Sequence, residues 1–249
     1  MQYYQDMKAG NRILGITGVM LLVMAALLQS GCGAYYPHSV SMPMVDHKGA
    51  VNVDGGLMVS DGKVMGQASA AYGVTSHLAV QAYAANWPNQ HLQGSAGWYM
   101  PFENGSHLDV MGGYAHQISD NQYTKADGNT KTYNGYHNMV FGQMDWGFAP
   151  NRAGCKAVYF TGGFSLRLGM MASTVSYKVE NLDSEEVTCS DPIDYRSVVA
   201  EPMLQLGLGW RWISLNVRGG VSLLGRVGNG NMLPHYPLIL GGGVKINLH

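Results

Sequence analysis

Charge is scarce in this sequence. Asp, Glu, Lys and Arg make up 12% of the 249 residues, and the net charge is −1. No basic surplus marks a nucleic-acid partner, and no acidic run marks a disordered tail. Cysteine is scarcer still, at three residues, and no Cys/His spacing has the form of a zinc site. Glycine is abundant at 34 residues but has no collagen-like period. Scattered through strand-like stretches, it suits a strongly curved sheet. Gly241-Gly242-Gly243 lacks the strand–turn–helix setting of a phosphate loop. No Ser/His pair stands in triad spacing: His116 and Ser119 are three apart, hence on opposite strand faces, and His137 beside Asn138 is expected inward. The sequence therefore nominates no catalytic residue, cofactor or metal, and it reads as a protein that is not an enzyme.

The apolar stretch Ile13–Leu28 is short for a membrane-spanning helix. It follows Lys8 and Arg12 and precedes Gln29-Ser30-Gly31-Cys32, an export signal ending in a lipobox-like site. Gln29 replaces the usual aliphatic residue, which bears on the efficiency of lipidation. Residues 1–31 are expected to be a lipoprotein-type signal peptide and Cys32 the lipidated residue; an ordinary secretory signal or a retained anchor helix is the alternative. Residues 33–49 contain two prolines and no period, and they read with Cys32 as a tether (32–49) to a domain at 50–249. Cys155 and Cys189 are expected at opposite barrel ends, too far apart for a disulfide.

What is plentiful is period-two alternation. Residues 213–225 place Ile213, Leu215, Val217, Val221 and Leu223 on one face and Ser214, Asn216, Arg218 and Ser222 on the other. Ten such stretches are expected, at 50–59, 64–73, 77–86, 91–102, 107–118, 132–148, 156–179, 194–212, 213–225 and 236–248. Short turns alternate with mostly longer, polar loops. With an export signal in front, this predicts an all-β, antiparallel, up-and-down transmembrane β-barrel of ten strands, eight or twelve being the alternatives. The short turns and both chain ends are expected in the periplasm. Tyr72, Trp98, Phe102, Trp146, Phe148, Phe160, Trp210 and Trp212 fall outward at that end, as an interfacial aromatic girdle. A soluble β-sandwich with Trp in its core would need no such clustering. Strands 6 to 8 exceed what a bilayer requires and are expected to project from the outer surface.

The same parity turns Asp54, Asp109, Asp145 and Glu201 inward, opposite Arg167, Arg211, Arg218 and Lys245. Confined charges are costly unless paired and hydrogen-bonded, so a closed polar network filling the lumen is expected. A narrow pore or small-solute transport barrel, with those charges as a filter, is the first alternative. A lipid-modifying outer-membrane enzyme is the second.

Cys32, then Tyr36-Pro37, Pro43 and Gly49, then the hairpin leading into AAYGVTSHLAVQAY, together with the closing GGGVKINL, resemble the small outer-membrane β-barrel lipoproteins of the Bacteroidota. That resemblance implies a barrel of generally unassigned role and supplies no catalytic residue. The lack of acidic residues in GAYYPHS implies an anchor in the periplasmic-side leaflet. The expected role is structural or accessory. Partners would be outer-membrane lipid and a larger outer-membrane complex, met through loops 119–131 and 180–193.

Overall fold

The computed structural model describes residues 33–60, 63–86, 89–124, 129–148, 158–180, 187–210, 212–228 and 231–248. Cys32, Cys155 and Arg211 lie outside the described residues, as does the whole signal stretch 1–31.

Among the described residues twelve strands follow one another: β1 (Val51–Ser60), β2 (Lys63–Gly73), β3 (Leu78–Ala85), β4 (Asn89–Pro101), β5 (Ser106–Thr124), β6 (Thr130–Phe148), β7 (Val158–Glu180), β8 (Val187–Cys189), β9 (Ile193–Trp210), β10 (Ile213–Val221), β11 (Leu223–Arg226) and β12 (Leu238–Leu248). Ten strand positions form a closed antiparallel barrel. β1 to β7 pair in sequence order, β7 pairs with β9, β9 with β10 and β10 with β12, and β12 returns to β1, with Val51 opposite Leu248. β11 continues β10 in the same register against β9, after a one-residue break at Ser222. There the amide of Ser222 donates to the carbonyl of Pro237 (2.7 Å) instead of to the ladder. β8 is a short extra strand on the free end of β7, with Lys178 opposite Cys189. Cys189 is exposed with a free thiol.

Burial follows the pleat. In β3, Leu78, Val80, Ala82 and Ala84 face out, and Ala79, Gln81, Tyr83 and Ala85 face in. Outside, Leu204, Leu206, Leu208, Leu215 and Val217 are all exposed, so the surface of the cylinder is apolar. Inside, the buried set is mostly polar. A soluble sheet protein buries its apolar face; here the arrangement is inverted, as a bilayer solvent demands.

The two ends differ. At the turn end, Glu103-Asn104-Gly105 reverses the chain between β4 and β5. The amide of Phe102 donates to Ser106 (2.8 Å), and Gly105 takes the positive φ of 79° that the turn requires. At the loop end the rim is uneven. β1 to β4 and β12 have 8 to 13 residues, whereas β5, β6, β7 and β9 have 18 to 23. Only the former length is needed to cross hydrocarbon. The stretch from Ser119 to Thr124, expected as loop, is strand, pairing as far as Thr124 opposite Thr130. Above the apolar belt the outward face turns polar while the inward one, Ser119 and Asn121, stays buried and polar, so the alternation that marks a strand in sequence fades there.

Residues 33–49 run inside the barrel for most of their length. Ala34 to Val45 are all buried, with Tyr35 and Tyr36 at 2% exposure and Ser39, Val40 and Val45 at 0%. The sequence reading made this stretch a tether and filled the lumen with wall side chains alone. The structure fills it with wall side chains and an extended piece of chain. An eight-stranded barrel is about filled by its own side chains, and diameter grows with strand number. Two further strands provide room for one extended segment.

Candidate functional site

The lumen segment begins at the loop end. The amides of Ala34 and Tyr35 both donate to the carbonyl of Pro234 (2.8 and 3.2 Å), in the connection between β11 and β12, and Tyr236 donates back to Tyr35 (3.0 Å). It ends at the turn end, where the amide of Met44 donates to Asp109 Oδ2 (3.0 Å) and Val45 packs with Ala50, Ala71, Ala79 and Tyr99. Twelve extended residues span at most about 43 Å, ample for the height of the barrel wall.

An extended chain inside a barrel has no ladder neighbour for most of its backbone groups, and each one left unpaired is costly. The wall supplies side chains instead. Arg218 Nη1 donates to Ser39 O (3.0 Å), and Gln81 Nε2 to Ser41 O (2.8 Å). Lys245 Nζ donates to Met42 O (2.8 Å) and Pro43 O (3.0 Å). Asn52 Nδ2 reaches Pro43 O (2.6 Å) and Met44 O (3.1 Å). Near the loop end, His137 Nε2 lies 3.1 Å from Ala34 O, and Asn121 Nδ2 donates to the same oxygen (3.4 Å). Side chains of the segment answer in turn. The Tyr35 hydroxyl donates to Glu201 Oε1 (3.1 Å), and the Ser41 hydroxyl to Asp54 Oδ2 (3.4 Å).

Wall glycines give the segment its space, Gly241 and Gly163 among them. A Cβ on Gly241 would collide with the side chain of Ser39. One on Gly163 would come within 2.8 Å of Met42 Sδ and 2.6 Å of Trp146 O. Met44 has a φ of 49° where the chain turns out of the lumen toward β1. A left-handed conformation costs a non-glycine residue about 1–2 kcal/mol. The hydrogen bonds to Asp109 and Asn52 on either side hold it there.

Each described charge expected in the lumen is there. Asp54, Asp109, Asp145, Glu201, Arg167, Arg218 and Lys245 are all 1–3% exposed. Their partners are not simply one another. Arg167 pairs with Glu201 (3.2 Å), and Arg218 pairs closely with Asp54. Arg167 also donates to Gln143 Oε1 through Nε and Nη2 (3.2 and 3.0 Å), and its guanidinium lies over the Phe141 ring at 4.8 Å. Asp145 is met by Gln143 Nε2 (2.9 Å), while Asp109 and Lys245 reach the segment backbone. The expected network of paired, hydrogen-bonded charges left out the acceptors and donors that a buried backbone adds. The aromatic set is exposed at the turn end, with Trp98 at 61%, Trp146 at 63% and Phe160 at 70%, and with Tyr72, Phe102, Phe148, Trp210 and Trp212 beside them.

One pairing escaped the sequence reading. Ser119 on β5 and His137 on β6 are two strand positions apart across the ladder, Gln117 being opposite His137, and Ser119 Oγ lies 3.0 Å from His137 Nε2. The signal was cross-strand rather than along one strand, so spacing along the chain could not show it. The ring is committed elsewhere. A carbonyl can only accept, so Nε2–H donates to Ala34 O; Nδ1 then accepts from Ser173 Oγ (2.8 Å). The nitrogen beside Ser119 already carries a proton and cannot act as its base. His116, outward, instead shares Asn138 Oδ1 with the Tyr114 hydroxyl (2.8 and 2.5 Å). Among the described residues, no cluster of three or more His, Cys, Asp or Glu could hold a metal ion.

No family model matches the chain, and neither does any curated protein. An OmpT described as an outer membrane protein of Vibrio cholerae aligns over 80% of this chain and 96% of that one, at 9% identity and a TM-score of 0.21, too low to bear on the fold. The outer membrane protease OmpT from Escherichia coli aligns over 84% of this chain and 99% of that one, with 11% identity and a TM-score of 0.53. At that identity the likeness is one of architecture, and it agrees with the inverted burial: the chain has the fold of an outer-membrane-type ten-stranded β-barrel.

Proposed function

We propose that this protein is an outer-membrane barrel whose lumen is closed by its own N-terminal segment, and that it works as a scaffold or accessory subunit rather than as a pore or an enzyme. The observation that carries this reading is the segment from Ala34 to Val45, buried throughout and bonded by its backbone to the wall. A solute path would need that volume. Short turns at one end and tall strands at the other are the habit of barrels whose turns are periplasmic. The loop end would then face outward, and within 119–131 and 180–193 the exposed side chains, such as Asp120, Gln122 and Val187–Cys189, would meet a partner. Acylation of Cys32 belongs to the same reading, supported by the lipobox-like Gln29-Ser30-Gly31-Cys32.

Planar-bilayer conductance tests it. The wild-type barrel should be silent, and a variant lacking residues 34–45 should pass ions, provided it still migrates as a folded barrel on unheated gels. Steady, ion-selective current through the wild type would overturn the reading. Replacing 180–193 with a Gly/Ser linker should leave folding intact and abolish any partner; unfolding on that replacement would count against the loop assignment.

A further inference from the structure

The lumen segment has a direction, and that direction places its own N-terminal end, Gly33. Ala34 and Tyr35 are fastened to Pro234 at the loop end, and Met44 to Asp109 at the turn end. Asn121 bonds both Ala34 O and Asn89 Oδ1 (3.0 Å), so Ala34 lies level with the first residue of β4. Tyr36 stacks on Tyr236, with ring centroids 5.9 Å apart, just ahead of β12. β4 and β12 belong to the low side of the rim, where strands of 8 to 13 residues cross hydrocarbon with little to spare. Gly33 is therefore at the level of the loop-end membrane boundary. It is wedged there, because a Cβ would come within 2.8 Å of Tyr236 N and 3.0 Å of the His235 carbonyl carbon.

We propose that the lumen segment opens at the loop end, at Gly33, so that an acyl group on the adjoining Cys32 would be held in the outer leaflet and not in the periplasmic-side one. This rests on the orientation and the lipidation proposed above. Cys32 is one peptide unit from Gly33, about 3.8 Å between Cα atoms. A return to the turn end would need a second passage through a lumen already filled from Ala34 to Val45. The expectation of a periplasmic-side anchor rested on the absence of acid from GAYYPHS. Those residues have a different employment. Tyr35 and Ser39 occupy the lumen beside Glu201, Gln67 and the Arg218–Asp54 pair, where an added carboxylate would meet like charge.

Two tagged variants in a Gram-negative host test this: a short epitope between Cys32 and Gly33, and the same epitope within 180–193. Antibody binding is measured on intact and on permeabilised cells. Both tags should label intact cells about as strongly as permeabilised ones. Should the loop tag label intact cells while the N-terminal tag needs permeabilisation, with a tenfold or greater gain, the proposal fails and the orientation stands. A hidden loop tag would overturn the orientation and this inference with it. A third variant without any insertion guards against misfolding of the tagged chains: S39C/G241C in a C155S/C189S background. The two β-carbons approach closely enough for a disulfide after slight relaxation. A non-reducing gel shift is expected in the cell envelope, and its absence would show that the segment is not threaded.

Discussion

Arg218 is where the wall, the segment and the lumen charges meet. Its guanidinium pairs with Asp54, donates to Ser39 O (3.0 Å) and, through Nε, to Gln205 Oε1 (3.2 Å). The Arg218 and Asp54 side chains are 1% and 4% exposed, so the pair is shielded from water. Removing one partner of a buried pair costs roughly 3–5 kcal/mol, chiefly because the other charge is left alone. Arg218→Met keeps the aliphatic volume and removes the charge and the donors, so that cost is expected in full. Adding Asp54→Asn should recover part of it, since the stranded carboxylate is gone; a coupling of about 1–3 kcal/mol fits residues sharing one network. Asn216, which donates to Asp54 Oδ2 (2.9 Å), should be indifferent to that second change, because an amide oxygen also accepts. The assay is urea unfolding in lipid vesicles followed by tryptophan fluorescence, with all four proteins of the cycle. A loss below about 1 kcal/mol in Arg218→Met, or strict additivity in the double variant, would refute a buried, coupled pair holding the segment.

Other outcomes follow from the same geometry. Gly241→Ala should destabilise by about 1–3 kcal/mol through overpacking, and Ser39→Gly in the same chain should restore most of it, read by thermal unfolding; failure of rescue would separate the segment from β12. Burial holds the His235 imidazole below its ordinary range, in the connection ahead of β12. The folded state therefore resists protonation, so its contribution is full above the unfolded value of about 6.5 and is lost as pH falls through that value. His235→Asn should flatten that part of the stability profile between pH 8 and 5; an unchanged slope would count against a buried neutral ring. Lipids brominated near the headgroup should quench Trp98, Trp146, Trp210 and Trp212 more than lipids brominated at the chain end, and the reverse order would move the girdle away from the interface.

The strands were legible because each had one apolar and one polar neighbour environment. β1, expected at 50–59, spans Val51–Ser60, and the outward Leu204, Leu206 and Leu208 alternate as read. Two things were not legible. The upper parts of β5 and β6 carry polar residues on both faces, outward in Asp120 and Gln122 and inward in buried Ser119 and Asn121, so their pairing, such as Asn121 opposite Tyr133, leaves no apolar rhythm. The segment from Ala34 to Val45 fails for the opposite reason: it is surrounded on every side, so no face repeats. Its two prolines and absent period made it read as a tether, whatever its Ser, His and Tyr side chains. Those side chains in fact suit a polar lumen, with Tyr35 on Glu201, Ser39 on Gln67 and His38 beside Tyr83. Inward parity found the lumen charges, but parity is silent on the backbone groups that Lys245 and Asp109 serve.

The enclosed segment also constrains the order of assembly. A finished cylinder would have to admit the twelve residues from Ala34 to Val45 end-on, past side chains already bonded across it, which is a slow route to a closed state. The pairing most distant in sequence is that of β1 with β12, joining Val51 to Leu248. Contacts of such high sequence separation tend to form late. The segment touches both sides of that junction, Asn52 and Asp54 on β1 and Lys245 on β12. It is thus placed to act as a template on which the open sheet curls, so that the seam zips last around a chain already lying in its groove.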